Sequence, residues 1–231
     1  MTLLQPDAAH LAWPFFDERH RQLRQQLDAW CAQHLGDVPH PPAGASVDAL
    51  CRTLVQALGA GGWLAHAVVG LNLCPFAKSV MVKGQVHVAV TPATGWNDLL
   101  EALEREVDDL LALAPDQRDT TLLVAPQAMP DFFEFNGFMG EAERLLARRE
   151  LEGVLQLAHF HPHFEFAGED PDDIGHFTNR APYPTLHLLR SDSIARAVQA
   201  FPDASTIYDA NIATLRRMGR NGWTQLMKEW A

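Results

Sequence analysis

Strand and helix patterns alternate along the chain after residue 80, and this order constrains the fold more than any other feature. Short apolar or alternating runs typical of strands occupy Gln85–Val90, Thr120–Ala125, Val154–His159 and Thr185–Leu189. Helical spacing or a capping residue marks Trp96–Ala114, Asp131–Arg149, Ser191–Ala200 and Ala204–Met218. Gly219 should end the last of these helices. The order predicts an α/β or α+β fold, with a small sheet of about four strands covered by helices.

Two further helices are expected before this region, and together they would form an N-terminal helical hairpin. Apolar residues recur at helical steps over Phe15–Leu35 and again over Val47–Leu58. The glycines of Gly59–Gly62 should end the second helix, since glycine is a weak helix former. We therefore expect a helical extension at residues 1–62 and an α/β domain at residues 63–231.

The charge of the chain argues against nucleic acid as a partner. The 231 residues include 29 acidic and 18 basic side chains, for a net charge of -11. A phosphate backbone is bound by clustered Lys and Arg, which this acidic composition does not favour. The sequence does not indicate an oligomeric state.

Cysteine usage and hydropathy indicate a soluble cytoplasmic protein. Cys31, Cys51 and Cys74 form no CxxC pair, and the chain begins without a secretory signal pattern, so reduced thiols are expected. The segment Thr53–Ala77 lacks charged residues, but glycines, a proline and polar residues interrupt it. A membrane-spanning helix is therefore not expected.

The first part of the chain contains two helical stretches, WPFFDERHRQLRQQLDAW at 13–30 and VDALCRTLVQALGAGGWLAHAV at 47–68. Over residues 10–68 this text resembles the extreme N-terminus of acyl-CoA dehydrogenases. A complete enzyme of that family would continue into a β domain that holds FAD and a helical bundle with a catalytic carboxylate. No stretch after residue 70 is similar to either part, so the resemblance implies a fusion, and FAD is not expected.

The rest of the chain carries longer motifs, which include LNLCPFAK at 71–78, FHPHFEFAG at 160–168 and TNRAPYPTLHLLR at 178–190. From residue 63 onward the chain resembles a bacterial family known as a domain of unknown function. The resemblance implies a family without an established activity. It also implies that the FHP core is shared, whereas His159, His163 and His176 need not be histidine in other members.

Cys74 and His161 are the candidate catalytic residues. Pro75 restrains Cys74 to an extended conformation, and Lys78 four residues later could lower the pKa of the thiol. Such a thiol would be a nucleophile or a metal ligand, whereas the alternative is an inert buried cysteine. His161 lies between two alternating histidines and belongs to the shared FHP core, which makes it the better candidate among them.

Cys74 and the histidines also suggest other roles than an acid–base pair. His161, His187 and Cys74 could bind zinc or iron, although their spacing matches no common metal motif. Alternatively, the histidines form hydrogen bonds that hold a proline-rich loop. Cys74, His161 and Asn179 also occur in the chain order of papain-like thiol enzymes, which is weak evidence without geometry.

Asn179, Arg180, His187 and Arg190 are the candidate substrate-binding residues. Arg180 lies beside the stiff APYP segment, and Arg190 lies where a strand should meet the helix that begins at Ser191. A guanidinium offers a planar fork of donors, which suits a carboxylate or phosphate. The alternative is that both arginines pair with the acidic run at 169–173.

Three functions are therefore considered. The leading hypothesis is a small enzyme that acts on a small anionic molecule through a Cys/His site, either thiol-based or metal-assisted. The second is a non-catalytic module that binds a ligand or a partner. The third, which depends only on the N-terminal resemblance, is a truncated FAD-dependent oxidoreductase similar to acyl-CoA dehydrogenases.

Overall fold

The structure is a computed structural model that describes residues 47–200 and 206–228. Four strands in the described residues form one mixed sheet: β1 Val86–Val90, β2 Thr120–Val124, β3 Leu155–Phe160 and β4 Thr185–Arg190. Their order in the sheet is β1-β2-β4-β3. Strand β1 is parallel to β2, and β4 is antiparallel to both of its neighbours. The predicted small sheet of four strands covered by helices is confirmed, as an α+β fold.

Most of the longer helices within the described residues follow the periodicity of the sequence, whereas the short helix at Ala77–Val82 was not predicted. The described helices are α1 Val47–Trp63, α2 Ala77–Val82, α3 Trp96–Ala112, α4 Phe132–Arg148, α5 Ser191–Ala200 and α6 Thr206–Lys228. A π-helical segment spans Leu64–Val69, and a 3-10 helix spans Ile174–Thr178. Among these helices, none has the length and apolar composition that a bilayer crossing requires. The first predicted helix, Phe15–Leu35, lies outside the described residues.

The glycines of Gly59–Gly62 do not end α1, so this expectation is wrong. The helix continues to Trp63, which is buried and whose indole Nε1 donates a hydrogen bond to the Arg180 carbonyl at 3.0 Å. A Cβ at Gly59 would lie 3.4 Å from the Tyr183 ring, an ordinary contact distance, so α1 packs directly beside this side chain. Tertiary packing therefore outweighs the low helix propensity of the glycines.

The two faces of the sheet pack against different sets of helices, because side chains alternate along each strand. Leu186 and Leu188 of β4 point to the first face, where α3 and α4 supply a core that includes Leu99, Leu103, Phe135 and Phe138. His187 and its cross-strand partner Leu122 point to the second face. That face is covered by side chains that include Trp63, Val68, Leu215 and Trp223.

Gly219 interrupts α6, as the sequence predicted for a helix stop. Its φ of 69° and ψ of 168° are not helical. The chain then resumes a helical course to Lys228, which the sequence analysis did not anticipate. Gly219 is therefore a bend between two helical segments.

Replacing Gly219 with Ala is expected to lower the free energy of unfolding by roughly 1–3 kcal/mol, since only glycine readily adopts this backbone conformation. Gly61→Ala is the matched control, because its Cβ would meet nothing within 4 Å inside α1. We expect that change to raise stability by up to about 1 kcal/mol. Urea denaturation measures both, and equal effects of the two variants would contradict the assignment of strain to Gly219.

Candidate functional site

A cavity of about 590 Å³ lies against the second face of the sheet, between α2 and α5. Small-molecule sites usually occupy roughly 300–1,000 Å³, so this cavity has a suitable size. Three residues singled out in the sequence, Cys74, His187 and Arg190, line it together. Apolar side chains form much of the remaining wall: Leu64, Phe76, Val80, Val86, Leu122, Leu189 and Ile194.

Cys74 lies in the turn that leads into α2 and is partly buried. Its carbonyl accepts a hydrogen bond from the Ala77 N–H at 3.1 Å, which fixes the turn. Burial raises the pKa of the thiol, and backbone N–H groups of Phe76 and Ala77 oppose this effect only in part. The direction is opposite to the lowering expected from Lys78, because desolvation of the thiolate dominates. The thiol is therefore protonated near neutral pH.

His187 lies in the middle of β4, and its ring reaches the cavity from the second face. Its Nε2 lies 2.7 Å from the Thr120 hydroxyl, which in turn donates to the Leu188 carbonyl at 2.6 Å. Part of the ring is open to the cavity, but protein surrounds it otherwise. This burial lowers the pKa of His187 to about 4, so the imidazole is neutral near pH 7.

Arg190 ends β4 directly before α5, as the sequence predicted. Its Nε and Nη2 donate to the backbone carbonyls of Leu110, Leu113 and Arg118 at 2.6–3.3 Å. Within the described residues, no carboxylate forms an ion pair with Arg190, and Nη1 has no hydrogen-bond partner. The guanidinium is thus held by neutral carbonyl groups at the end of α3, and Arg190 follows Leu186 and Leu188 on the first face, so it borders the cavity at the end of β4.

The acidic run at 169–173 forms ion pairs with arginines other than Arg180 and Arg190. Asp173 pairs with Arg216 at 3.2 Å, and Asp172 pairs with Arg220 at 3.1 Å. Both of these arginines belong to α6. Internal pairing therefore does occupy the acidic run, but it leaves Arg190 at the cavity.

Other charged residues lie at the edge of the cavity. Lys83 and Arg196 are exposed, and Arg196 donates to the Ser193 hydroxyl at 2.9 Å. That hydroxyl donates to the Asp119 carboxylate at 2.5 Å. Asp116, which is exposed, also lines the cavity. The cavity wall therefore combines basic and acidic groups around an apolar interior.

His161 lies on the first face of the sheet and does not line this cavity. Its ring is fully buried and packs beside Phe132 and Phe135 of α4. The His163 N–H donates to Nδ1 at 3.1 Å, so Nε2 carries the proton and donates to the Met129 carbonyl at 3.1 Å. Burial is the main cause that lowers the pKa of His161. Both ring nitrogens therefore hold the loop in place.

Asn179 and Arg180 also lie away from the cavity. The Asn179 carbonyl accepts from the His161 N–H at 3.2 Å, and its side-chain oxygen accepts from the Thr178 hydroxyl at 3.0 Å. Arg180 donates from Nε to the Phe164 carbonyl, and its guanidinium lies 4.5 Å from the centre of the Phe177 ring. These contacts stabilise the loop between β3 and β4.

The residues considered as zinc or iron ligands are therefore divided between the two faces of the sheet. Cys74 and His187 share the cavity, whereas His161 lies on the first face. In the part of the chain that the structure describes, no three His, Cys, Asp or Glu side chains form a group that could hold a metal ion. The Cys74, His161 and Asn179 arrangement of thiol enzymes is divided in the same way.

Sequence reasoning did not single out Thr120, Lys83 or Arg196 for this site. Thr120 begins the TTLLV strand, and the sequence indicated only that it belongs to a buried strand. Its contact with His187 depends on the antiparallel pairing of β2 with β4, and strand order was not predictable. The two basic residues carried no signal beyond their charge.

Comparison with known proteins places this site within a family. A model of the family described as "Protein of unknown function (DUF1415)" matches residues 59–225, which include every cavity residue named above. Searches of curated proteins and of solved structures found no significant match. The likeness of residues 10–68 to acyl-CoA dehydrogenases stays a prediction. The family model matches well over half of the chain, so the chain belongs to the DUF1415 family.

Proposed function

We propose that the cavity is the active site of a small enzyme that acts on an anionic small molecule through Cys74 and His187. The observation that carries this proposal is that both residues line one cavity, which Arg190 also borders. The three residues come from a turn and from one strand, far apart in sequence. His187 thus takes the place of His161 as the partner of Cys74, because both nitrogens of His161 are already bonded.

The cavity wall favours a ligand with an apolar body and an anionic group. Leu64, Phe76 and Ile194 offer apolar surface, whereas Lys83 and Arg196 supply positive charge at the edge of the cavity and Arg190 borders it. The guanidinium of Arg196 and the ammonium of Lys83 suit a carboxylate or phosphate oxygen. Such a ligand binds even though the chain carries a net charge of -11, since the local charge decides the contact.

In this mechanism the Cys74 sulfur adds to a carbonyl carbon of the ligand while His187 takes the thiol proton and the carbonyl π electrons move onto oxygen. When the carbonyl forms again, the bond to the leaving oxygen breaks, the acyl group stays on sulfur, and the leaving group takes up the proton from His187 or departs as an anion. Before the ligand binds, the proton stays on sulfur, because burial raises the pKa of the thiol and lowers that of the imidazole. A bound anion near His187 favours the imidazolium form and so promotes the transfer. The reaction therefore depends on ligand binding.

Mono-4-nitrophenyl suberate, an eight-carbon ester with a free carboxylate, tests the proposal. We expect it to transfer its acyl group to Cys74 and to release nitrophenolate, which absorbance and peptide mass spectrometry measure. Cys74→Ala should abolish this transfer. The neutral control 4-nitrophenyl octanoate should react at least about tenfold more slowly, since it lacks the carboxylate that the basic side chains of the cavity would bind. Acylation that survives in Cys74→Ala, or that occurs at Cys31 or Cys51 instead, would overturn the proposal.

The raised pKa of Cys74 favours a second candidate function, a module that binds an anionic ligand without turnover. A protonated thiol is a poor nucleophile and packs as a small apolar group. Calorimetry with suberate separates the two functions. Binding of suberate without acylation by its nitrophenyl ester would favour the non-catalytic module.

A further inference from the structure

We propose that Thr120 is a positioning residue that fixes His187 in the tautomer protonated at Nε2, which leaves Nδ1 as the proton-accepting atom of the site. The role of Nδ1 rests on the proposed function. The tautomer itself rests only on hydrogen bonds, and it can be measured without any ligand.

The assignment follows from the number of protons that the three groups share. The Leu188 carbonyl can only accept, and the Thr120 hydroxyl lies 2.6 Å from it, so the single hydroxyl proton lies in that bond. The same hydroxyl oxygen lies 2.7 Å from His187 Nε2 and has only lone pairs left to offer. Nε2 must therefore carry a proton and donate it. A neutral imidazole has one N–H, so Nδ1 has a free lone pair.

The β2–β4 pairing holds this arrangement in place. Thr120 lies opposite Leu189 in the antiparallel register, and Leu122 lies opposite His187. Thr120 and His187 therefore point to the same face of the sheet, on neighbouring strands, at the end where the cavity lies. The Thr120 side chain is almost fully buried, so water does not compete readily for these hydrogen bonds.

Two other histidines of the same segment show what a purely structural imidazole does here. In His161 and in His176, a backbone N–H donates to Nδ1 and Nε2 donates to a carbonyl oxygen. Both nitrogens are used, and both rings are buried. His187 has the same Nε2 donor arrangement, but among the described residues no group donates to its Nδ1. The free lone pair distinguishes His187 from the other two.

Long-range 1H–15N spectra of histidine-labelled protein at pH 7 test the tautomer directly. We expect His187, assigned by comparison with His187→Gln, to show a protonated Nε2 whose proton exchanges slowly with water, and an unprotonated Nδ1. Thr120→Ser should keep this pattern, because it keeps the hydroxyl. Thr120→Val should lose the protected Nε2 proton. A protonated Nδ1 in the wild type, or an unchanged spectrum in Thr120→Val, would overturn the inference.

Acylation by mono-4-nitrophenyl suberate tests the positioning role separately. We expect Thr120→Val to slow acylation of Cys74 by about tenfold and Thr120→Ser to restore it, since general-base catalysis depends on the correct tautomer. A slowed Thr120→Ser variant with a wild-type spectrum would contradict the positioning role. If the wild type shows no acylation while its spectrum matches, the proposed function fails but the tautomer stands. If Thr120→Val does not fold, the wild-type spectrum and the Thr120→Ser rate still decide the inference.

Discussion

Iodoacetamide is expected to alkylate Cys74 about 100-fold faster at pH 9 than at pH 7, because only the thiolate reacts and its fraction rises about tenfold per pH unit below the pKa. Burial raises the pKa of this thiol, so the rise should continue through the range where an ordinary cysteine levels off. Peptide mass spectrometry measures the rate at Cys74 separately from those at Cys31 and Cys51.

The His187→Gln variant is the control for this experiment. If the resting site held a thiolate–imidazolium pair, alkylation would be fast and nearly independent of pH from acid to neutral, and the variant would lose that reactivity. We expect the variant to keep the wild-type profile instead, since both groups are neutral at rest. An alkylation rate that does not change with pH and that depends on His187 would contradict a neutral Cys74 thiol and a neutral His187 imidazole at rest. It would also remove the main observation in favour of a non-catalytic binding module.

The fold was largely predictable from the sequence because each element carries a local signal. Strand β2 and helix α4 were predicted to within a residue or two at each end, since buried runs and helical spacing depend on the nearest neighbours in the chain. The exceptions were α2, for which no helix was predicted, α6, which resumes after Gly219, and α1, which continues through Gly59–Gly62. There the deciding contacts come from Tyr183 and Arg180, more than a hundred residues away, and no local pattern contains them.

The site was less predictable for the same physical reason. Cys74, His187 and Arg190 were singled out by residue type and local context, but their meeting on one cavity depends on how the strands pair. His161 was chosen as the catalytic histidine because the family resemblance implies that its FHP core is shared. The bond of its Nε2 to the Met129 carbonyl, 32 residues earlier in the chain, occupies the nitrogen that a catalytic role would need. Hydrogen-bond partners of this kind are a property of the folded chain.

Acidification should reveal the buried neutral state of His187 as a loss of stability. Its pKa is about 4 in the folded protein and about 6.5 when unfolded, so the unfolded chain takes up the proton first as the pH falls. The contribution of neutral His187 to the free energy of unfolding is fully present above pH 6.5. It decreases as the pH falls from 6.5 to 4, and it decreases no further below pH 4. The shift corresponds to a loss of roughly 3 kcal/mol in the free energy of unfolding.

Urea denaturation at several pH values measures this loss, and His187→Gln is the informative comparison. His159 and His161 also have lowered pKa values, so some acid destabilisation should remain in the variant. We expect a shallower pH dependence between pH 4 and 6.5, whatever its stability at pH 7. An unchanged slope would mean that the pKa of His187 is not lowered in the folded protein. The imidazole would then begin to take up a proton near pH 6.5 in the folded state, so this pair of titrations tests whether burial keeps His187 a neutral proton acceptor in mildly acidic solution.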